Sequence, residues 1–300
     1  MYDQVTSNKR RSMLMVIVFA IFTIGVLALV AYSLAFGVTG VALAVIVGVA
    51  MTWGSYWKSD VIALRMSRAV EATPDDYARY HNIVEGLCIA GGLPKPRLYV
   101  VHDDAPNAFA TGRNPNNAAV AVTTGLLERM DRMELEGVLA HELSHVRNYD
   151  ILVNTIAVTM VGILTLVADF TFRAVWISGH RRRSDSGSGP AAIMAIVGVV
   201  LLIVAPIIAR MMQFAIGRKR ESLADFSAVE LTRYPPGLIS ALEKLSDDQT
   251  VVRSGSRATA HMWIEEPMAQ VPEEGNLSRL NRLFSTHPPL EERIAALREL

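Results

Sequence analysis

Two long uncharged stretches near the N-terminus place the strongest constraint on how this chain folds. No Asp, Glu, Lys or Arg occurs from Met13 to Phe36 or from Gly37 to Trp57. Each stretch reaches the roughly 20 apolar residues that a helix needs, at about 1.5 Å per residue, to cross about 30 Å of hydrocarbon. We therefore predict a transmembrane hairpin over residues 1–57, with its turn near Gly37–Gly40.

Two further apolar stretches occur in the second half of the chain. They cover Ile151–Ala168 and Ala191–Ala209, and both lie at the lower length limit for a membrane span. The polar linker between them, Gly179–Pro190, carries three arginines. If both stretches span, these arginines lie outside, which the positive-inside rule disfavours. The sequence favours a second transmembrane hairpin over residues 151–217, and the alternative is a hairpin that enters the membrane without crossing it.

Basic residues flank the first hairpin at both of its ends and are absent from its turn. They precede its first apolar stretch and follow its second: Lys9, Arg10, Arg11, Lys58, Arg65 and Arg68. The positive-inside rule places both flanks in the cytoplasm. We expect a multi-pass protein of the inner or plasma membrane whose soluble part faces the cytoplasm. A cleaved signal peptide ending near Ser33-Leu34-Ala35 is the alternative, but the apolar stretch exceeds the usual length and a second one follows at once.

The overall charge argues against one class of partner. Basic and acidic residues both number 29, so the chain lacks the positive surplus that is typical of nucleic-acid-binding proteins. The expected partners are protein or peptide substrates and the lipid bilayer, and the oligomeric state is left open. The single cysteine, Cys88, cannot form an internal disulfide, which agrees with a reducing compartment.

Residues 58–150 and 218–300 have the pattern of two halves of one water-soluble domain. Thr73-Pro74-Asp75-Asp76 combines a capping residue, a proline and first-turn acids, so a helix should begin there and end near Gly91-Gly92. Strands are expected over residues 96–101 and Ala118–Thr123, and the second could align a substrate backbone by strand addition. A final helix should begin at Pro288 or Pro289. Its apolar face is predicted to carry Ile294, Leu297 and Leu300.

The sequence "VLAHELSHVRN", residues Val138 to Asn148, lies in another predicted helix. A capping box at Asp131 and Glu134 opens this helix, and its acidic first turns exclude it from lipid. Apolar residues recur at helical spacing on one face, which predicts an amphipathic helix: Leu135, Val138, Leu139, Leu143 and Val146.

On that helix His141 and His145 lie one turn apart on the same face. Two such imidazoles can bind one zinc ion, and Glu142 is then placed to hold a water molecule instead of the metal. The alternative is a helix with two surface histidines. The H-E-x-x-H pattern arises by chance only about once in a hundred chains of this histidine content, so we predict one zinc ion per chain.

A catalytic zinc needs a third protein ligand and an open coordination position. Downstream candidates are Asp150, Asp169, His180, Glu221, Asp225, His261 and His287. Glu221 is favoured because Asp225 follows one helical turn later and could accept the outer N–H of a ligating histidine. The alternative for Glu221 is a solvated charge within a basic cluster.

The sequences "HELSH", "RESLAD" after a pair of apolar stretches, and "NAFATGRNPNNAAVAVTTGLL" together resemble the HtpX family of membrane zinc endopeptidases. These are relatives of the prenyl protease Ste24 within the M48 group. The resemblance implies His141, His145 and Glu221 as zinc ligands and Glu142 as the catalytic residue. It also suggests that Asn107 in "NAFATG" and His287 in "THP" contact the substrate or its tetrahedral intermediate. The alternatives for these two are a turn-forming asparagine and a helix-capping histidine.

The predicted fold is a mainly α membrane protein of about four transmembrane helices in two hairpins. It carries a zincin-like cytoplasmic metalloprotease domain of the α+β class with a small sheet. The predicted function is zinc-dependent hydrolysis of peptide bonds, and the resemblance implies quality control of damaged membrane proteins. Two alternatives are an intramembrane protease, which the acidic helix start disfavours, and a non-catalytic zinc-stabilised scaffold or holdase.

Overall fold

The computed structural model describes residues 2–33, 37–155, 218–248, 250, 263–264 and 288–300. Its elements in the first half of the chain are α1 (Tyr2–Ser33), α2 (Gly37–Met66), β1 (Val70–Glu71), α3 (Ala78–Gly91), β2 (Arg97–Val101), β3 (Ala108–Gly112), β4 (Ala118–Thr123), α4 (Thr124–Arg129) and α5 (Arg132–Arg147). Those in the second half are α6 (Arg218–Thr232), α7 (Pro235–Asp247) and α8 (Leu290–Arg298). Of the second predicted hairpin, only residues 151–155 fall within these ranges, so its depth in the membrane stays a prediction.

Helices α1 and α2 pack against each other over the first predicted hairpin. Within the described ranges, one helical stretch, Gly37–Gly54 in α2, is long and apolar enough to cross a membrane. Its large side chains are open to the surroundings, as for Leu43 (64%) and Ile46 (67%), which suits a helix surrounded by lipid. Helix α1 carries a shorter apolar stretch, Val16–Ala28. The predicted number of about four spans is therefore not tested by these residues.

Helix α2 continues well past its apolar stretch and contacts the sheet. Ala63 and Leu64 near its end are buried in one apolar cluster with Phe109 of β3 and Ala119 of β4. At about 1.5 Å per residue, Leu64 lies only about 10 Å along the helix from Trp57, where the uncharged stretch ends. The sheet is thus attached directly to the continuation of the apolar helix.

The four strands form one mixed sheet in the order β1-β2-β4-β3. Strand β4 pairs in parallel with β2 and antiparallel with β3, so it lies inside the sheet with both edges occupied. The prediction that Ala118–Thr123 aligns a substrate by strand addition is wrong, because this strand has no edge left to offer. The edge strand beside it is β3, which lies in the "NAFATG" sequence and which sequence patterning did not predict.

The chain itself covers one end of the β3 edge. The amide of Ile264 donates a hydrogen bond of 2.9 Å to the carbonyl of Ala108. The neighbouring Trp263 packs edge-on against Phe109, with 4.6 Å between the ring centroids. Both Trp263 and Ile264 are buried, so the start of β3 lies in the interior of the domain.

The sheet separates two apolar layers, because alternate residues of β4 face opposite sides. Ala118, Val120 and Val122 join the main core together with α3 and α5. Ala119 and Ala121 join the smaller cluster that holds the end of α2. The main core also includes Ile151, the first residue of the third apolar stretch. Ile151 itself therefore packs inside the domain.

Helices α5 and α7 approach each other closely at a pair of glycines. A Cβ atom on Gly137 would lie 2.7 Å from the amide nitrogen of Leu238, and one on Gly237 would lie 2.6 Å from the carbonyl oxygen of Met133. Any side chain at either position would clash with backbone. This contact fixes the position of α5, the helix that carries the H-E-x-x-H pattern.

The predicted start of α3 is wrong by several residues. The helix begins at Ala78, whereas Thr73 and the three residues after it form a separate turn. The Thr73 hydroxyl donates to the Asp76 carboxylate at 2.6 Å, so the expected cap closes this turn instead. The predicted end is confirmed, because Gly92 has φ +62° and its amide caps the helix.

The final helix begins at Leu290, one residue after the second proline. Ile294 and Leu297 are buried as predicted. Leu300 is 64% exposed, so its assignment to the apolar face is wrong. It follows the last helical turn and is not held against the core.

Candidate metal centre

The site is built on α5, whose first turn is firmly held. The predicted capping box is present: Asp131 Oδ1 accepts from the Glu134 amide at 2.9 Å, and Glu134 Oε2 accepts from the Asp131 amide at 2.8 Å. Glu134 also accepts from Ser240 at 2.6 Å and from Lys244 at 2.7 Å, both on α7. These contacts set the rotation and height of α5 against α7.

Helix α5 is buried on more of its surface than the predicted amphipathic helix, which would bury only its apolar face. His141 is 1% exposed, Glu142 2% and His145 7%, so the alternative of two surface histidines is wrong. The reason is that the sheet, α3, α6 and α7 surround the helix beyond its first turn. The polar groups of this helix therefore need polar partners inside the domain.

Glu221 of α6, the predicted third ligand, lies close to the two histidines. The His141 and His145 Nε2 atoms lie 3.1 Å apart. Glu221 Oε2 lies 3.5 Å from His141 Nε2, and Glu221 Oε1 lies 3.6 Å from His145 Nε2. Among the residues described, this is a group of His and acidic side chains that could hold a metal ion.

The spacing of the two histidine nitrogens and the Glu221 carboxylate is compatible with zinc. In a tetrahedral site with bonds of about 2.0–2.1 Å, neighbouring ligand atoms are separated by about 3.3–3.4 Å. The two Nε2 atoms are 3.1 Å apart, and each lies 3.5 or 3.6 Å from a different oxygen of the Glu221 carboxylate, so these separations fall on either side of that value. Two imidazoles and one carboxylate are also a usual ligand set for a catalytic zinc that keeps one position open.

A carboxylate contacts the outer nitrogen of each histidine. His141 Nδ1 lies 2.8 Å from Asp225 Oδ1, and His145 Nδ1 lies 3.2 Å from Asp150 Oδ2. In the neutral rings these contacts place the proton on Nδ1 and leave a lone pair on Nε2. Two lone pairs and the Glu221 carboxylate then converge on one point, an arrangement that a cation stabilises.

The pKa values of the two histidines report the same negative field. Burial and the Arg293 guanidinium lower the pKa of His141, but the Asp225 and Glu221 carboxylates outweigh them and raise it to about 9. Burial also lowers the pKa of His145, and the Glu221 and Asp150 carboxylates raise it overall. The field at both rings therefore favours a bound positive charge.

Arg293 is a site residue that sequence reasoning missed. From α8 its guanidinium makes two hydrogen bonds to Asp225, of 2.9 Å from Nε and 2.6 Å from Nη2. Its Nη1 lies 3.9 Å from Glu221 Oε2, and the side chain is 1% exposed. Burial raises the pKa of Asp225, but Arg293 and His141 lower it overall, so the carboxylate stays ionised. Arg293 thus joins the C-terminal helix to the site.

The remaining predicted residues have different outcomes. Glu142 is buried on α5 between the two histidines, within electrostatic range of Arg293 and Tyr80. Asn107 is buried immediately before β3, where its Oδ1 accepts a hydrogen bond of 3.0 Å from the Ala108 amide. Whether Asn107 contacts a substrate stays a prediction. His287 lies outside the described residues, so its role stays a prediction.

Comparison with known families bears directly on this arrangement. A model of Peptidase family M48 matches residues 74–300, a range that begins before α3 and includes every residue of the candidate metal centre. The chain belongs to peptidase family M48. The resemblance drawn from the motifs is confirmed, and this M48 chain is a metalloprotease.

Known relatives of this M48 protease match over full length. It is 40% identical over 301 positions to the protease HtpX homologue of Thermoanaerobacter pseudethanolicus, covering 100% of this chain and 98% of the relative. It is 41% identical over 302 positions to the HtpX homologue of Caldanaerobacter subterraneus subsp. tengcongensis, with the same coverage. The HtpX homologue of Streptococcus uberis is 40% identical over 303 positions and is covered completely.

A solved structure supports the fold. The crystal structure of S. mikatae Ste24p superposes on the M48 protease with a TM-score of 0.51 and 17% identity, covering 99% of this chain and 67% of that chain. The shared architecture is mostly helical with a small mixed sheet. The predicted α+β character of the protease domain is confirmed at this level.

Proposed function

We propose that this M48 protease is a zinc-dependent endopeptidase in which His141, His145 and Glu221 bind the metal and Glu142 transfers protons. The observation that carries the proposal is the convergence of three buried side chains, with the two Nε2 atoms 3.1 Å apart and each 3.5–3.6 Å from an oxygen of the Glu221 carboxylate. Glu142 lies next to His141 on the helix that carries both histidines. When bound, zinc would polarise the scissile carbonyl and lower the pKa of a water molecule to about 7.

The chain's own residues supply the proton transfers and the alignment of the ligands. Glu142 takes the proton of the attacking water and later delivers it to the nitrogen of the leaving amine. Asp225 and Asp150 hold the outer nitrogens of the two histidines, so both Nε2 atoms face Glu221. Asn107 and His287 are proposed to contact the substrate, as the resemblance implies.

We propose that the substrates include misfolded or damaged membrane proteins that reach the cytoplasmic face of the membrane. Support comes from α2, whose apolar stretch continues without a break into the helix end that packs under the sheet. Because that end lies about 10 Å from Trp57, the protease domain lies near the membrane surface. The basic residues on either side of the hairpin favour a cytoplasmic orientation.

Activity measurements on the full-length protein in detergent test the catalytic proposal. Glu142→Gln removes the proton-transfer group but keeps the shape of the side chain, so zinc content should match wild type while casein cleavage falls by at least about 100-fold. Glu136→Gln, on the half-exposed part of the same helix, serves as the matched control and should keep full activity. Wild-type turnover by Glu142→Gln would reject the role of Glu142.

Chelation and zinc restoration separate an enzyme from a zinc-stabilised scaffold. An enzyme loses cleavage on chelation and regains it with zinc. A scaffold shows no metal-dependent cleavage with or without zinc, but unfolds at a lower temperature after chelation.

A further inference from the structure

The backbone turns sharply directly after α5. Tyr149 has φ +61°, a left-handed conformation that costs free energy for a residue with a side chain. The amide of Asn148 still bonds to Ser144, at 3.0 Å, and after the turn at residues 148–149 helical backbone resumes at residue 150. On an uninterrupted helix Asp150 would lie about 140° around the axis from His145, because five residues rotate by about 500°. The turn removes that separation.

This turn brings Asp150 back to the metal helix. Its Oδ2 lies 3.2 Å from His145 Nδ1, and both side chains are buried. The nitrogen contacted is the one that faces away from Glu221, since His145 Nε2 points toward that carboxylate. A carboxylate on the outer nitrogen of a metal-binding histidine fixes its tautomer and ring orientation and makes the ring a better ligand.

The other oxygen of Asp150 faces the helix that supplies Glu221. Asp150 Oδ1 lies 3.6 Å from Nη1 of Arg220, whose side chain is 12% exposed. Arg220 directly precedes Glu221 in α6. One buried carboxylate therefore contacts both the ring of His145 and the residue next to the third candidate ligand.

We propose that Asp150 is a positioning residue of the metal centre. It orients His145 through the outer ring nitrogen and, through Arg220, holds the start of α6 so that Glu221 meets the two histidines. This inference rests on the proposed zinc site. It gives each histidine its own carboxylate, Asp225 for His141 and Asp150 for His145, although the two acids lie on different parts of the chain.

Zinc affinity of the metal-free, full-length protein tests the proposal without relying on activity. Asp150→Asn keeps the size of the side chain but removes its charge. We expect its zinc dissociation constant, measured by competition with a chromophoric chelator, to rise about 10–100-fold. Asp150→Glu, which retains the charge, should recover part of that loss. Asp75→Asn, which alters an exposed carboxylate far along the chain from the site, is the matched control and should keep wild-type affinity.

Two further readouts distinguish positioning from other roles. At saturating cobalt, the visible absorption of Asp150→Asn should match wild type, because the ligand set is unchanged; a different spectrum would show that Asp150 is itself a ligand and overturn the proposal. The melting temperature of the metal-free protein should change by no more than a few degrees. A larger drop together with unchanged zinc affinity would assign Asp150 a purely structural role.

Different results would reject the positioning role of Asp150 and the zinc site itself. If wild type binds no zinc, or if His145→Asn binds zinc as tightly as wild type, the proposed function itself is wrong. If wild type binds zinc at His145 and Asp150→Asn binds it within about twofold of wild type, only the positioning role is wrong. Arg220→Gln gives an independent check and should weaken zinc binding by a smaller factor than Asp150→Asn.

Discussion

Asp225 on α6 contacts both His141 on α5 and Arg293 on α8, with His141 Nδ1 2.8 Å from Asp225 Oδ1 and Arg293 Nη2 2.6 Å from the same oxygen. A single buried carboxylate thus joins three helices that are far apart in the sequence. The negative charge of Asp225 is compensated by the Arg293 guanidinium and by the N–H group at His141 Nδ1.

Replacing Asp225 by Asn should weaken zinc binding. The amide keeps the shape but cannot balance the positive charge that metal binding brings to His141, so the zinc dissociation constant should rise about 10–100-fold. Chelator competition on the metal-free protein measures it. Glu230→Gln, an exposed acid on the same helix, is the control. Wild-type affinity in Asp225→Asn would contradict the role given to this contact.

Removing the buried Arg293 guanidinium should destabilise the fold more than removing an exposed arginine on the same helix. Arg293→Met leaves Asp225 buried without its bidentate partner, which costs about 3–5 kcal/mol when a buried pair is broken. Thermal or denaturant unfolding of the metal-free protein measures the loss. Arg298→Met, on the same helix with a 64% exposed side chain, should change stability by less than about 1 kcal/mol. Equal effects of the two substitutions would contradict this assignment.

Because α5 and α7 contact each other closely, Gly137 should not tolerate replacement by a residue with a side chain. Gly137→Ala places a Cβ atom 2.7 Å from a backbone nitrogen, so it should destabilise the protein by about 1–3 kcal/mol and lower zinc affinity as α5 shifts. Gly86→Ala is the matched control, because a Cβ atom there meets nothing within 4 Å. In a helix interior that change should stabilise by about 0.5–1 kcal/mol. Denaturant unfolding compares the two variants, and tolerance of Gly137→Ala would contradict the packing argument.

The lowered pKa of Glu134 should make the stability of the fold sensitive to acid. Burial raises its pKa, but hydrogen bonds from Lys244 and Ser240 outweigh burial and lower the pKa below its ordinary value of 4.5. A lowered folded-state pKa means that the stabilisation is present above pH 4.5 and is lost as the pH falls through the folded-state pKa.

The variant Glu134→Gln tests this pH dependence. It should be less stable than wild type at pH 7, and the difference should shrink as the pH falls below about 4.5. Melting temperatures measured between pH 3 and pH 8 provide the comparison, with Glu136→Gln as the control on the same helix. A difference between Glu134→Gln and wild type that stays constant over this range would contradict the assigned contacts.

Local sequence signals were enough to select the three ligand candidates that lie together in the fold. The capping box at Asp131, the helical spacing of His141 and His145 and the later acidic helix with Glu221 each depend on short-range patterns, and the structure brings the three ligand candidates together. The cap at Gly92 was predictable for the same reason, because a glycine directly after a helix adopts the left-handed conformation without strain.

Residues recruited by tertiary packing were not predictable in this way. Arg293 looked like one charge among several on the last helix, and only the packing of α8 against α6 brings it to Asp225. Asp150 was considered only as a third zinc ligand, and its contact with the outer nitrogen of His145 depends on the left-handed turn at Tyr149, which helical spacing does not predict. Strand β3 escaped prediction because Ala108–Gly112 has no period-two alternation and is buried on both faces.

The most direct test of the central claim is an anomalous-difference map at the zinc absorption edge from crystals of the full-length protein. We predict one peak per chain, about 2.0–2.2 Å from the Nε2 atoms of His141 and His145 and from a carboxylate oxygen of Glu221. A proteolytically active protein with no zinc peak, or with a peak that Glu221 does not contact, would contradict the account.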